Sequence, residues 1–379
     1  MLNSRQYIER LLKQAGIRLN GNRGWDIRVT DQRFYNRVIR SGSVGLGEAY
    51  MDGWWECPEL DVFFFKIIKT GVNAPLYTPA SLLLFLKSVL VNQQKKNRAY
   101  EIGRRHYDIG NDLYRVMLDK RMVYTCAYWQ NAENLDQAQE AKLDLVCRKL
   151  DLQPGQKVLD IGCGWGSFAK YAAEKYDVNV TGITVSKKQM KLGAELCRGL
   201  PVEIRLQDYR DLDETFDHIV SLGMIEHVGR KNYRRYMQLV RSCLSGGGGF
   251  LLHTIGSGTS VRSTDPWIHK YIFPNSMIPS LSQLGDAFEG QMVMEDWQNF
   301  GVDYDKTLMA WFRNFHNGWD QLKKRYSTKF YRMWKFYLLM SAGSFRARSN
   351  QLWQIVLSKD GFREGFKPSS YRDYEVAAE

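Results

Sequence analysis

Four short segments of this chain carry side chains of the types that catalyse reactions, at places where predicted strands and loops converge. They contain Cys126, Glu226, His253 and the pair Glu295 and Tyr304. Glu226 follows the fourth predicted strand and His253 ends the fifth. Because ligands of open α/β sheets bind beyond the carboxyl ends of the strands, we expect both side chains at one reaction site.

Each of these residues also has a purely structural interpretation. Cys126 could be a small buried apolar side chain, His253 a hydrogen-bonded core histidine, and Glu226 part of a helix start. His269 and His316 could act as metal ligands, but no H-x-x-x-H or H-x-x-E spacing accompanies them, so we predict no metal site.

A glycine-rich turn predicts where a cofactor binds. The apolar run ending at Asp160 is followed by Gly162, Gly164 and Gly166, in the order G-x-G-x-G rather than the G-x-G-x-x-G of dinucleotide sites. Glycines at such a turn let backbone N–H groups approach a ligand closely. This variant resembles the S-adenosylmethionine pocket of class I methyltransferases.

Two further strand ends supply candidate cofactor contacts. No acidic residue ends the second strand, so Thr184 or Gln189 would have to bind the ribose. Asp208 follows the third strand and could accept a hydrogen bond from the adenine amino group. It could equally be an N-cap or turn aspartate.

The pattern of elements predicts an α/β fold with a seven-stranded, Rossmann-like class I methyltransferase sheet. Strands are predicted at 157–161, 179–184, 202–206, 217–221, 250–254, 292–297 and 352–358. Helices are predicted at 167–176, 187–198 and 230–244, with a long aromatic helical region from Asp303 to about Phe345 and an insertion at 265–279. Alternation of this kind indicates a parallel sheet with right-handed crossovers.

The composition of the chain indicates an anionic binding partner but does not identify it. The chain has 379 residues and a net charge of +12, with 11 Trp, 21 Tyr and 18 Phe. Aromatic and basic residues together fit a phospholipid surface or a nucleic acid. Six cysteines without C-x-x-C spacing favour a reducing cytoplasm, and the apolar run 81–91 is shorter than the roughly 20 residues of a membrane span.

The chain is predicted to have three parts. Residues 1–75 form a small α-rich N-terminal domain with short helices and turns around Gly42, Gly45 and Gly47. Residues 76–100 form a linker helix, and residues 101–379 form the catalytic domain.

Motifs spread over nearly the whole chain resemble the cyclopropane fatty acid synthase family of class I S-adenosylmethionine-dependent methyltransferases. They lie at 45–55, 125–129, 159–166, 224–229, 252–256, 267–274 and 345–348. The mycolic-acid enzymes of this kind are shorter and lack such an N-terminal part, which favours a phospholipid substrate. Ser341 stands where several relatives have cysteine, so the resemblance does not imply an essential thiol there.

The resemblance implies methylene transfer from S-adenosylmethionine to a cis double bond in a phospholipid acyl chain. In this family the alkene attacks the sulfonium methyl, a carbocation forms, and bound bicarbonate removes a proton so that the ring closes. The implied bicarbonate site comprises Cys126, Glu226, His253, the backbone of Ile255, and Tyr304, with Glu295 nearby as a supporting carboxylate. The implied cofactor contacts are Tyr124, Thr125, Gly162, Cys163, Gly164, Trp165, Gly166, Thr184, Ser186, Gln189, Asp208 and Tyr209.

The implied site makes chemical sense for a small anion. A buried anion needs several hydrogen-bond donors, and His253 and Tyr304 can donate. Glu226 could face bicarbonate only through a shared proton or through its backbone, which predicts coupled titration of the two groups.

Other interpretations remain open at this stage. A different lipid C-methyltransferase, an RNA methyltransferase with Cys126 as nucleophile, and a non-catalytic lipid-surface module each fit part of the pattern. The favoured interpretation implies a homodimer without a nucleic-acid partner, peripheral on the inner face of the cytoplasmic membrane. A basic cluster would contact anionic lipid; its members are Lys95, Lys96, Arg98, Arg104 and Arg105.

Overall fold

The computed structural model describes residues 3–71, 110–261 and 263–367. The N-terminal part is mainly helical, as predicted. Its elements are α1 (Ser4–Gln14), β1 (Arg28–Val29), α2 (Arg33–Met51), β2 (Trp55–Glu56) and α3 (Leu60–Lys69). The predicted linker 76–100, the apolar run 81–91 and the basic cluster from Lys95 to Arg105 lie outside the described residues.

Helix α2 differs from the short helices and turns predicted around its glycines. It runs for 19 residues, with non-helical backbone at Gly42 (φ 55°, ψ −131°) that produces a kink. Gly47 is needed for close packing, since a Cβ there would lie 2.3 Å from Trp267 Nε1. Glycine in this helix therefore allows close packing against another element rather than ending the helix.

The rest of the described chain contains the predicted seven-stranded sheet. Its strands are β3 (Lys157–Ile161), β4 (Asn179–Thr184), β5 (Val202–Leu206), β6 (His218–Leu222), β7 (Gly249–Ser257), β8 (Val293–Asn299) and β9 (Asn350–Ser358). Their spatial order is β5-β4-β3-β6-β7-β9-β8. Strands β3 to β7 are mutually parallel, whereas β9 runs antiparallel to both of its neighbours.

Helices cover both faces of the sheet. They are α4 (Asn111–Met117), α5 (Leu135–Lys149), α6 (Ser167–Tyr176), α7 (Lys187–Leu196), α8 (Tyr233–Cys243), α9 (Pro266–Tyr271), α10 (Leu281–Phe288), α11 (Val302–Asn317), α12 (Trp319–Leu322) and α13 (Thr328–Arg346). Chain order departs from spatial order between β3 and β6, and that reversal leaves a crevice at the carboxyl edge.

The first three strands and α6 have the predicted limits, whereas other limits differ for tertiary reasons. Strand β7 extends to Ser257 because it pairs with β9 over nine residues. The aromatic region after Asp303 is divided into α11, α12 and α13. A break occurs at Gly318, where a Cβ would lie 2.2 Å from Val116 Cγ1.

The N-terminal helices pack directly on α13. Trp55, Phe63 and Phe336 belong to one buried aromatic cluster, with the Trp55 and Phe63 ring centroids 5.4 Å apart. Arg346 on α13 joins Asp61 at 2.7 Å and Asp305 at 2.8 Å. Burial of this apolar surface stabilises the contact between the two parts. The division into domains at residues 75 and 100 stays a prediction.

No helix among the described residues combines the length and the apolar character of a membrane span.

Candidate active site

The glycine-rich turn after β3 forms the floor of a pocket at the carboxyl edge of the sheet. Gly162, Gly164 and Gly166 have φ values of 83°, 57° and 79°, in the left-handed region that favours glycine. A Cβ at Gly164 would meet nothing within 4 Å, so the backbone there borders open space. The N–H groups of Gly162 and Cys163 donate to the Ile183 carbonyl, each at 3.0 Å, so the open backbone at Gly164 is the part of the turn that a ligand such as S-adenosylmethionine could approach closely.

The end of β4 forms a second wall of this pocket. The Thr184 hydroxyl donates to Gln189 Oε1 at 2.8 Å and accepts from the Ser186 N–H at 3.2 Å. Ser186 instead caps α7, because its side chain accepts from the Gln189 N–H. Thr184 and Gln189 therefore face the pocket, whereas Ser186 shapes it through the helix start.

Asp208 has the structural role that the sequence left open. Its buried carboxylate accepts from the backbone N–H of Arg210 at 3.0 Å and from Arg210 Nε at 2.7 Å. The same residue lines the pocket beside Tyr209. The N-cap interpretation is thus confirmed, and the contact with adenine stays a prediction.

Most of the predicted cofactor residues line this one pocket. Those that do are Tyr124, Thr125, Gly162, Cys163, Gly164, Trp165, Thr184, Gln189, Asp208 and Tyr209. Gly166 is the N-cap of α6 and lies between the lining residues Trp165 and Ser167. The structure therefore gathers into one place residues that the sequence separates by up to 85 positions (124 to 209).

Glu226 and Ile255 form the first part of the predicted anion site. Glu226 lies in a 3₁₀ turn after β6, and its Oε1 accepts from the Ile255 N–H at 2.8 Å. Among the described residues, its buried Oε2 has no hydrogen-bond partner. Burial raises the pKa of Glu226, while the Ile255 N–H partly opposes that rise. A protonated Glu226 could therefore donate to an anion.

His253 on β7 supplies a second buried polar atom. Gln354 Nε2 lies 3.3 Å from His253 Nδ1. Since an amide nitrogen can only donate, this contact leaves the imidazole proton on Nε2. Within the described part of the chain, Nε2 has no partner. Burial lowers the pKa of His253 well below its usual value, and Lys142 and Lys149 add to the effect, so the ring is neutral.

Cys126 and Tyr304 belong to one apolar cluster, against which Ile255 packs. Cys126 Sγ lies 4.0 Å from Thr307 Oγ1, which also accepts from the Ala127 N–H at 3.2 Å. Tyr304 lies one turn earlier on α11, with its ring 4.5 Å from that of Phe345. Burial raises the pKa of Cys126 well above its usual value, so its side chain is a neutral thiol.

The structure does not place Glu295 beside this site. Its Oε1 accepts from the Ser358 hydroxyl and from the Phe362 N–H at 3.0 Å. Ser358 pairs with Gly249 at the amino end of β7, whereas His253 lies farther towards the carboxyl edge. The prediction of Glu295 as a supporting carboxylate was wrong, because the β8–β9 register puts it at the opposite end of the sheet.

Sequence reasoning missed several residues of these sites. Asp160 lines the pocket, and burial raises its pKa to about 7, with Lys142 opposing the rise. Its signal was present, since it is the acidic residue before the glycine turn. For Gln354 the sequence holds no such signal. Its contact with His253 follows from the pairing of β7 with β9, and no local pattern indicates it.

Comparison with known proteins gives concordant matches. The model of the family described as mycolic acid cyclopropane synthetase matches residues 94–355. Cyclopropane-fatty-acyl-phospholipid synthase of Escherichia coli is 52% identical over 94% of this chain and 94% of its own length. A probable fatty acid methyltransferase of Pseudomonas putida is 39% identical over 67% of this chain and 68% of its own length.

Solved structures agree with these matches. A mycolic acid cyclopropane synthase crystallised with SAH and CTAB aligns with a TM-score of 0.65 and 32% identity, over 69% of this chain and 98% of that one. The predicted class I methyltransferase fold is thereby confirmed.

Proposed function

The chain belongs to the mycolic acid cyclopropane synthetase family, and we propose that it forms cyclopropane rings in the acyl chains of phospholipids. It transfers a methylene group from S-adenosylmethionine to a cis double bond. The observation that carries the proposal is a glycine-rich cofactor pocket adjoining two buried polar atoms, Glu226 Oε2 and His253 Nε2, that have no partner among the described residues.

The extent of the match with the Escherichia coli enzyme supports phospholipid as the substrate. That match covers 94% of the chain and so includes most of the N-terminal part. The N-terminal helices pack on α13, which follows the helix carrying Tyr304 in the chain. A lipid-handling role for the N-terminal part fits this packing.

Within this reaction we propose bicarbonate as the bound base. The residues that would hold it are Glu226, His253, Tyr304, Cys126 and the Ile255 backbone. Glu226 Oε2 and His253 Nε2 fit such a group, since each is a buried polar atom that an anion would satisfy. When bound there, bicarbonate supplies the base for the proton of the transferred methyl group.

The protein's own residues orient this site and keep it dry. The Ile255 N–H fixes one oxygen of Glu226, and Gln354 orients the ring of His253. Aromatic rings surround the same region, with Tyr304 and Trp311 centroids 5.9 Å apart and His253 and Phe300 centroids 5.9 Å apart. Each aromatic face near the carbocation of the proposed reaction would stabilise it by roughly 0.5–2 kcal/mol, and exclusion of water would protect this carbocation from capture.

We further propose that the protein is a homodimer, peripheral on the inner face of the cytoplasmic membrane. The net charge of +12 supports attraction to an anionic leaflet, at about 1 kcal/mol for each basic residue near the surface. Sedimentation with vesicles tests this attraction: binding should be strong on anionic vesicles at low salt and fall steeply as salt is added. Equal binding to neutral and anionic vesicles would contradict it.

Mass spectrometry of phospholipids incubated with protein and S-adenosylmethionine tests the reaction. We expect each modified chain to gain one CH₂ while its alkene signal disappears. A gain of CH₂ with the alkene retained would indicate another lipid C-methyltransferase instead. Methyl label recovered in RNA rather than lipid would indicate an RNA methyltransferase.

Removal of bicarbonate tests the proposed base separately. In buffer stripped of carbon dioxide, turnover should fall, and added bicarbonate should restore it while formate does not. Full turnover without bicarbonate would remove the anion from the proposal and leave the methylene transfer in place.

A further inference from the structure

Helix α5 presents two buried polar side chains to the segment between the cofactor pocket and the proposed anion site. Gln139 and Lys142 are both 0% exposed and lie one helical turn apart. Gln139 Nε2 donates to the Thr125 carbonyl at 2.9 Å, and Lys142 Nζ donates to Thr125 Oγ1 at 2.6 Å. Thr125 is thus held through its backbone and its side chain.

A neutral donor could hold Thr125 equally well, so the charge of Lys142 calls for a reason. Burying an ammonium is costly unless other groups compensate. Burial lowers the pKa of Lys142 to about 8, while the carboxyls of Asp119 and Asp160 and the thiol of Cys126 oppose that effect. Lys142 therefore remains mostly charged at pH 7, next to the pocket.

The hydrogen bond fixes the direction of the Thr125 hydroxyl. An ammonium can only donate, so Thr125 Oγ1 accepts and its own proton stays available for another acceptor. Thr125 lines the cofactor pocket. A donor with a cation behind it favours an acceptor that is negatively charged. The anionic group of S-adenosylmethionine is its carboxylate.

We propose that Lys142 is a positioning residue: it makes the Thr125 hydroxyl a donor to the carboxylate of the methyl donor and adds its positive charge to that contact. The inference rests on the proposed use of S-adenosylmethionine. Gln139 completes the arrangement by fixing the backbone of Thr125, so that the hydroxyl keeps its place.

Binding of two ligands separates this role from general stabilisation. S-adenosylhomocysteine carries the carboxylate, whereas 5′-methylthioadenosine has the same nucleoside and sulfur without the amino-acid part. By calorimetry at pH 7, Lys142→Met should weaken binding of S-adenosylhomocysteine at least tenfold and change that of methylthioadenosine less than twofold. Equal losses for both ligands, or no loss for either, would overturn the proposal.

Variants of Thr125 keep the test decisive if Lys142→Met folds poorly. Thr125→Val should show the same selective loss of affinity for S-adenosylhomocysteine, whereas Thr125→Ser, which keeps the hydroxyl, should bind it like the unaltered protein. The double variant Thr125→Val with Lys142→Met should bind S-adenosylhomocysteine about as weakly as either single variant. Full affinity in Thr125→Val would contradict the inference.

Lys149→Met is the matched control. Lys149 is a second buried lysine on α5, but it is paired with Asp296 at 3.1 Å. Its loss should leave the affinities for both ligands unchanged. If the unaltered protein bound neither ligand, the proposed use of S-adenosylmethionine would be contradicted. If the unaltered protein and Lys142→Met bound both ligands with equal affinity, only the inference about Lys142 would be contradicted.

Discussion

The cofactor pocket and the proposed anion site lie at the same edge of the sheet but are built differently. The pocket is formed largely by strand ends and the turns that follow them. Several of its polar groups are paired, as in the contact of Thr184 with Gln189, although His227 Nδ1 in its lining is buried without a partner among the described residues. The anion site combines distant segments; Ala127 and Thr307, for example, are 180 residues apart. Its key atoms, on Glu226 and His253, are buried and lack a partner among the described residues.

This difference indicates two kinds of preparation for ligands. A glycine-rich turn lets the main chain approach a ligand closely whether or not the ligand is bound. A buried polar atom without a partner is costly, about 1–3 kcal/mol, and a bound group that pairs with it removes that cost. Mutations in the two regions should therefore affect different steps, binding of the methyl donor in the first and turnover in the second.

The largest effect is expected from the anion site. Glu226→Gln and His253→Gln should each lower turnover on phospholipid by about 10²–10⁴, the range of a lost acid–base contribution. Affinity for S-adenosylhomocysteine should change less than threefold. The control is His218→Gln, another buried histidine whose Nδ1 accepts from the Gly249 N–H at the amino end of the sheet. Comparable losses of affinity for S-adenosylhomocysteine in all three variants would contradict the assignment of binding to the cofactor pocket and of turnover to the anion site.

The glycine turn should give the next largest effect, on binding alone. Gly162→Ala puts a side chain at φ 83° and a Cβ 2.8 Å from Met224 Cγ. We expect affinity for S-adenosylhomocysteine to fall at least tenfold in calorimetry. Gly155→Ala has the same backbone strain at φ 81°, roughly 1–2 kcal/mol, in a turn with nothing within 4 Å. Gly155→Ala should lower the melting temperature but leave the affinity for S-adenosylhomocysteine unchanged. If Gly155→Ala also lost affinity, backbone strain alone would explain the effect of Gly162→Ala.

A pH titration sharpens the contrast through Asp160. Its pKa is raised to about 7 by burial, so the carboxyl gains charge as pH rises from 6 to 8. The ionised form should attract the ammonium of S-adenosylhomocysteine, so affinity should rise as pH increases from 6 to 7, where Lys142, with a pKa of about 8, stays mostly charged; above pH 7 the loss of the Lys142 charge opposes that rise. Asp160→Asn should give a flat profile between pH 6 and 7. A profile that keeps its slope in Asp160→Asn would assign the pH dependence to another group.

The smallest effect is expected at Cys126. Because burial keeps its thiol neutral, Cys126→Ser should retain turnover within tenfold of the unaltered protein. Iodoacetamide at pH 7.5 should leave Cys126 unmodified, as peptide mass mapping would show. Rapid alkylation of Cys126 together with complete loss of turnover in the serine variant would make it a nucleophile.

Local patterns allowed much of the cofactor pocket to be predicted from the sequence. Strand β3, the glycine turn and α6 are contiguous, so their periodicity and glycine spacing predicted both limits and function. Thr184 and Asp208 were found because each lies where a parallel strand ends. The role of Asp208 as an N-cap was also foreseen as an alternative, since aspartate before a helical turn is a common cap.

Long-range pairing explains what was missed. Glu295 lies near Tyr304 in sequence, yet the pairing of β8 with β9 places it at the other end of the sheet. The contact of Gln354 with His253 depends on strand register. Gln139 and Lys142 look like ordinary polar residues of a helix, and only packing of α5 buries them.

The amino-acid sequence by itself determined the order of strands and helices and the glycine turn, because these depend on periodicity and local backbone preferences. The residues of the anion site were predicted from the resemblance to a known family. The tertiary structure alone decided which polar atoms are buried without partners and which charges lie next to the pocket. Burial and pairing depend on segments far apart in the chain, and those are brought together only when the hydrophobic core forms.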